Sequence, residues 1–249
     1  TFAPKAIEYL DNLDKLVVGG GQGVSAYIDL DAGVVRAQSR LQSAASLSLD
    51  GNELTIVNLT GHKLPSGYPE GRRMWVRQTW RDASDAVVRV DGGLVDLDVT
   101  VNGFPETVST LADLSGANTK IYQVHNGISQ EWATILIAEG VSGTTPLDFD
   151  RVTGAVVTTL AEVAALPPGS VEHSLHFVLN DEIISDNRIP PYLYDYDEAL
   201  ARSALPVPFD QYGDPGPGGV YDYRDFVPLD PPVGAAHALV QLMYEPVSW

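Results

Sequence analysis

From Gly51 onward the hydrophobic positions recur with a period of two. Leu54, Ile56 and Asn58 fall on one side of such a segment, and Thr55, Val57 and Leu59 on the other. This is the alternation of a half-buried strand. The same reading places strands at 74–81, 86–90, 95–101, 120–124, 132–138, 171–179 and 236–244, with turn clusters such as Asp91-Gly92-Gly93 and Asn102-Gly103 between them. Strands without regular helices between them predict a mainly β fold, an antiparallel β-sandwich rather than a parallel α/β sheet. One helical interruption is expected at 155–165, ending at Pro167-Pro168.

The first fifty residues carry a different period. Ala6, Ile7, Leu10, Leu13, Leu16 and Val17 recur at helical spacing, and the run Gly19-Gly20-Gly21-Gln22-Gly23 ends that segment. A second helix is expected at 31–47, with Asp31 as N-cap and Val34, Ala37, Leu41, Ala44 and Ala45 as its apolar face. The predicted organisation is therefore a helical N-terminal segment, 1–50, and a sandwich domain, 51–249. Within the latter, 190–232 is rich in Pro, Tyr, Gly and Asp, with a short helix expected near 198–203. A loop of that length is functional or draped along an edge of the sheet.

Composition narrows the partners. The 249 residues carry 33 acidic against 15 basic side chains, a formal charge of -18. Nucleic acid is not an expected partner, because its phosphates would meet a surface of their own sign. There is no cysteine, which excludes disulfides, thiolate metal sites, a cysteine nucleophile and the Cys-x-x-Cys-His attachment of c-type haem. No apolar run reaches the roughly 18 residues a membrane span needs. The chain starts at Thr1, so removal of an upstream segment is expected, and with it a periplasmic or extracellular location. Hydrolase, phosphate-loop and metalloprotease motifs are missing, and the Gly19–Gly23 run lacks the flanking strand and helix of a dinucleotide site. A non-catalytic protein is the expectation.

The segment from Asn58 to Trp75 concentrates candidate chemistry: His62, Lys63, Arg72 and Arg73 among three glycines and two prolines. Three readings stand side by side. The loop is structural, with His and Arg bonded to neighbouring carbonyls; or His62 is an axial ligand to haem iron; or Arg72 and Arg73 bind an anion. His173 and His176, three apart on an expected strand, face opposite sides and do not share a metal; His176, in line with Val178, reads as a core or edge histidine. His125 and His237 receive no role. Asp195, Asp197 and Glu198 form a weak Ca²⁺ candidate, since Ca²⁺ takes about six to eight oxygens and this loop offers many carbonyls.

Two blocks carry a resemblance. Gly61-His62-Lys63-Leu64-Pro65-Ser66-Gly67-Tyr68-Pro69-Glu70-Gly71-Arg72-Arg73-Met74-Trp75, and then His176-Phe177-Val178-Leu179-Asn180 followed by Asp186-Asn187-Arg188-Ile189-Pro190-Pro191, resemble a β-rich region of exported multihaem c-type cytochromes. That region lies C-terminal to the haem-binding part. A weaker match runs from Gly234-Ala235-Ala236 to Leu242-Met243-Tyr244. Ser66 stands where Thr is usual, and Tyr192 where Arg is usual. The resemblance implies membership of an electron-transfer system, with a motif loop of Gly61, Lys63, Pro65, Gly67, Arg72, Arg73 and Trp75 around His62. It implies a second site block of His176, Asn180, Asp186, Asn187 and Arg188. Without cysteine the haem is not covalently held here, so the implied partner is a haem-bearing chain or removed segment, with His62 ligating haem in trans. The competing expectation is an extracellular structural or carbohydrate-binding sandwich without redox role, using Tyr194 and Tyr196 as stacking surfaces. An unpaired strand edge would also permit self-assembly.

Overall fold

The computed structural model describes residues 7–10, 15–19, 25–66, 70–101 and 103–245, with side chains from residue 35 onward. The chain divides into two units, Thr1–Ser46 and Leu47–Trp249.

The first unit corrects the expected opening helix. β1 (Ile7–Leu10), β2 (Lys15–Gly19) and β3 (Ser25–Asp29) form an antiparallel sheet in that order, with Ile7 opposite Val18 and Tyr9 opposite Leu16. A helical spacing this short is ambiguous, and Ile7, Tyr9, Val17 and Val18 are β-branched or aromatic residues that suit a pleated surface better. Ala6 and Leu13 lie outside the described residues. The second helix is present as α1 (Leu30–Gln42) but stops earlier than expected. The next residues, with Ala45, Leu47 and Leu49 alternating, form β4 (Ala45–Asp50).

The second unit is mainly β with several antiparallel sheets, consistent with the expected sandwich. β5 (Glu53–Asn58) buries Leu54, Ile56 and Asn58 and exposes the alternate positions more, as the period of two requires. β6 (Arg73–Arg81) is the central strand: Met74, Trp75, Val76, Gln78, Thr79 and Trp80 are all buried, so it is covered on both faces. β7 (Val87–Asp91) pairs with its C-terminal half. β8 (Leu94–Val101) and β9 (Phe104–Leu111) make a separate hairpin. β10 (Ile121–Tyr122) pairs with the start of β6, and β11 (Val124–Ser129) begins a second sheet.

Two further expectations change here. The run 132–138 is not a strand but part of α2 (Gln130–Ala138). Its apolar run fits either element, and the Ser129 hydroxyl, accepting from the Trp132 N–H, caps a helix. Trp132, Ala133, Leu136 and Ile137 then all meet a core of Ile128, Leu147, Leu160 and Val163. The helix expected at 155–165 is only its second half. β12 (Pro146–Phe149) and β13 (Val156–Thr159) form a hairpin, and α3 (Leu160–Ala164) follows once Glu162 accepts both the N–H and the hydroxyl of Thr159.

β14 (Val171–His173) ends six residues before the expected strand does, as Ser174 and Leu175 bond to Asn126 and Leu147 carbonyls outside any ladder. His176 therefore lies in a loop leading into a turn. It does not share a core face with Val178, which is 79% exposed. β15 (Glu182–Asp186) flanks β11 opposite β14, and α4 (Tyr196–Ala201) is the short helix expected in the long loop. β16 (Arg224–Pro228), also within that loop, covers one edge of β5. β17 (His237–Glu245) pairs with β6 along its whole length. The Tyr122 hydroxyl donates to Asp225 at 2.7 Å, tying the sheet of β6 to that of β5.

Gly92 sits where that core leaves no room. Its φ is +65°, and a Cβ there would lie 2.8 Å from both Trp75 Cδ1 and the Val76 carbonyl oxygen. Trp75 Nε1 already donates to the Gly92 carbonyl at 2.9 Å. Gly92→Ala is expected to cost about 2–3 kcal/mol from overpacking and a left-handed backbone. A urea unfolding midpoint equal to that of the parent would refute this.

Candidate functional site

The two sequence blocks, more than a hundred residues apart, meet around one buried side chain. Asn58 ends β5 fully buried, and its Nδ2 donates to the carbonyls of His62 (2.7 Å), Ile189 (3.2 Å) and Pro190 (2.8 Å). Its Oδ1 accepts the Thr60 N–H at 2.8 Å, and the Thr60 hydroxyl, 2.8 Å from both that oxygen and the His62 carbonyl, shares its one proton between them. Leu64 and Ile189 exchange backbone hydrogen bonds of 2.9 and 3.1 Å, so the loop carrying His62 is stitched directly to Asp186–Pro191.

Beside this bridge lies a buried charge cluster. The Asp186 carboxylate, inaccessible to solvent, accepts from Lys63 Nζ at 3.0 Å and from Arg188 at 2.9 and 2.6 Å. Burial works against its ionisation, but Arg188 and Lys63 hold it below the usual carboxylate range. Burial lowers the Lys63 ammonium, partly offset by Asp186. Lys63 also sits 5.0 Å from the Tyr212 ring centre, and burial pushes that phenol up.

The remaining residues of the blocks are mostly engaged in holding the fold. Arg72 donates to the Ser66 carbonyl at 2.9 Å, and Arg73 Nε lies 3.2 Å from Glu245 across the ladder of β6 and β17. Asn187 accepts from Gln123 N and donates to the Ile121 carbonyl; Asn180 donates to the Ser174 carbonyl. Pro65 is buried, Gly61 is exposed with open space where a Cβ would stand, and Gly67 lies outside the described residues. His62 differs. Its carbonyl is held twice, by Asn58 and Thr60, while its imidazole is exposed and without a hydrogen-bond partner among the described residues.

The calcium candidates do not converge. Asp195 caps α4 by accepting the Glu198 N–H, Asp197 accepts the Gly218 N–H, and Glu198 pairs with Arg202 at 2.6 Å. The tyrosines of the long loop pack on one another: Tyr194 on Tyr221 at 4.7 Å, Tyr192 on Tyr223 at 4.8 Å.

A second cluster had no counterpart in the sequence reading. Glu70, His125 and His173 come together, with Asp148 behind His173. Hydrogen bonding to buried Glu70, opposed by burial and helped by Asp148, raises His173 to about 9, whereas burial lowers His125. No linear signal joins these residues. Their meeting depends on the register that sets His173 opposite Gly127, two residues from His125. A cleft of about 490 Å³, lined by Gln78, Asp91, Asn118, Lys120 and Asn187, involves neither His62 nor this cluster.

No known protein family and no curated protein matches the chain. A solved structure with some likeness is that of a penta-heme cytochrome c552 from Thermochromatium tepidum, at 13% identity and a TM-score of 0.33. The match covers 92% of this chain and 38% of that one, and likeness at that level carries nothing about function. The chain has no cysteine for covalent haem attachment, and among the described residues no helix is long and apolar enough to cross a membrane.

Proposed function

We propose that this chain is a non-catalytic accessory β-sandwich module of an extracytoplasmic multihaem electron-transfer system. In this reading it packs against haem carried by another chain or by a removed segment, and donates His62 as an axial ligand. The supporting observation is the spatial junction of the two blocks: Asn58 and the Ile189–Pro190 segment hold the loop, and the His62 imidazole is exposed and, among the described residues, without a hydrogen-bond partner. A neutral imidazole on a fixed backbone is the group that coordinates haem iron. Packing against a haem edge also excludes water, which tunes its potential. The carbohydrate-binding alternative is weaker, because Tyr194 is already stacked on buried Tyr221 at 4.7 Å and Tyr196 is tilted against the same ring.

The test is native isolation with an ultraviolet–visible spectrum and intact masses of all co-migrating chains. A haem-bearing chain is expected to co-migrate, and His62→Ala is expected to remove or shift its low-spin Soret band without lowering the unfolding midpoint. A colourless preparation free of any haem protein would sink the proposal.

A further inference from the structure

We propose that Glu70, His125 and His173 form a binding site for one divalent transition-metal ion of the zinc class, with Asp148 as the outer carboxylate that orients His173. The residues come from three segments: the turn before β6, the body of β11 and the end of β14. In the antiparallel ladder His173 pairs with Gly127, so His125 lies diagonally beside it on the same face. The two rings stand 5.3 Å apart at 76°. Glu70 Oε1 lies 3.8 Å from His125 Nδ1 and 3.5 Å from His173 Nε2. The ligand atoms of the three residues all fall within 4.8 Å of one another. Ligands bound at about 2.0–2.2 Å around a tetrahedral ion stand roughly 3.3–3.6 Å apart, so the set closes by small side-chain movements.

The outer atoms are already committed in the way a metal site requires. Glu70 is buried, and its Oε2 accepts the Asn126 N–H at 2.8 Å, leaving Oε1 for the imidazoles. His173 Nδ1 lies 3.2 Å from Asp148 Oδ2. Its Nε2 is buried and faces Glu70 Oε1 at 3.5 Å, a long contact that a metal ion replaces once the ring gives up its proton. An imidazole with one nitrogen held by a carboxylate and the other presented inward is the carboxylate–histidine–metal arrangement. Two imidazoles favour a transition ion over Ca²⁺ or Mg²⁺. Three protein ligands leave a fourth position, and the side chains of His125 and His173 are 39% and 32% exposed, so water can reach it. Arg73, the nearby cation that acts on His125, is itself paired with Glu245 at 3.2 Å.

The test uses the full chain stripped with a chelator. It is titrated with ZnCl₂ alone by calorimetry and with CoCl₂ alone by visible absorption. One ion per chain is expected, with the intense d–d bands of four-coordinate cobalt. His125→Ala, His173→Ala and Glu70→Gln are each expected to weaken binding at least about tenfold and to abolish those bands; Asp148→Asn should weaken it by about 10–100-fold. Glu70→Gln keeps an acceptor for Asn126, and His125 is partly exposed, so these variants read out the site even if His173→Ala does not fold. His62→Ala is expected to bind zinc as the parent does, which separates this test from that of haem contact. Unchanged zinc affinity in both His125→Ala and Glu70→Gln, or absence of a one-to-one isotherm in the parent, would overturn the proposal.

Discussion

Asn58→Ala is expected to lower the free energy of unfolding by about 4 kcal/mol, since several buried groups lose a partner at about 1–3 kcal/mol each before relaxation. The side chain is fully buried and makes hydrogen bonds to the backbone of His62, Ile189, Pro190 and Thr60. Alanine would leave the buried Pro190 carbonyl without its donor and the half-buried Thr60 N–H without its acceptor, while the Ile189 carbonyl keeps the Leu64 N–H at 2.9 Å. The His62 carbonyl keeps the Thr60 hydroxyl at 2.8 Å, so it loses one donor of two. Asn58→Asp is the sharper control. It preserves shape and the acceptor for Thr60 but sets an oxygen against three carbonyls, and it should destabilise at least as much. Urea unfolding followed by the fluorescence of buried Trp75 and Trp80 measures both. A loss below about 1 kcal/mol in Asn58→Ala would mean that the two blocks are held together by something else.

Asp186→Asn should cost about 3–5 kcal/mol at neutral pH, because removing one partner of a buried ion pair leaves the other charges uncompensated. Arg188 and Lys63 are the stranded cations, 10% and 26% exposed, and Asp186 itself is inaccessible. The pH dependence follows from the sign of the shift. Asp186 is held below its unfolded value, so its contribution is present above the ordinary carboxylate pKa of about 3.9 and is lost as pH falls through the lower folded value. Parent and variant stabilities should therefore converge in acid and separate as pH rises toward neutrality. Lys63→Met should cost less in the Asp186→Asn background than in the parent, because the aspartate that holds the ammonium is already gone. A parent-minus-variant difference that stays constant from neutral pH into acid would exclude Asp186 as the ionised hub.

Much of the fold was legible because alternation is a local property. β5, β8 and β17 were readable from their period of two, β6 as an apolar run although both its faces are covered, and the turn at Gly92 from its glycines. The errors have a common cause, which is the short apolar run. Residues 132–138 fit a strand or a helix equally, and a serine hydroxyl one turn upstream decides. Ile7, Leu10, Leu16 and Val17 fit a helix in spacing but a hairpin in side-chain shape. β9, most of β11, β12 and β15 were also missed, β13 was read as part of a helix, and β16 was hidden in a Pro-rich stretch that lacks the alternation of a strand.

The candidate sites divide in the same way. The block around His62 and the block around Arg188 could be singled out from residue order alone, though not the hydrogen bonds that join them. The chain by itself determined a mainly β architecture, the lack of any covalent haem attachment and the prominence of His62. Period, cysteine count and motif are all properties of neighbours along the chain. Only the tertiary structure decided that Asn58 is the clasp, that Asp186 is a buried hub, and that Glu70, His125 and His173 share one spot. Each of those depends on strand register and burial, and register is set by which distant strands find each other and cover their apolar faces.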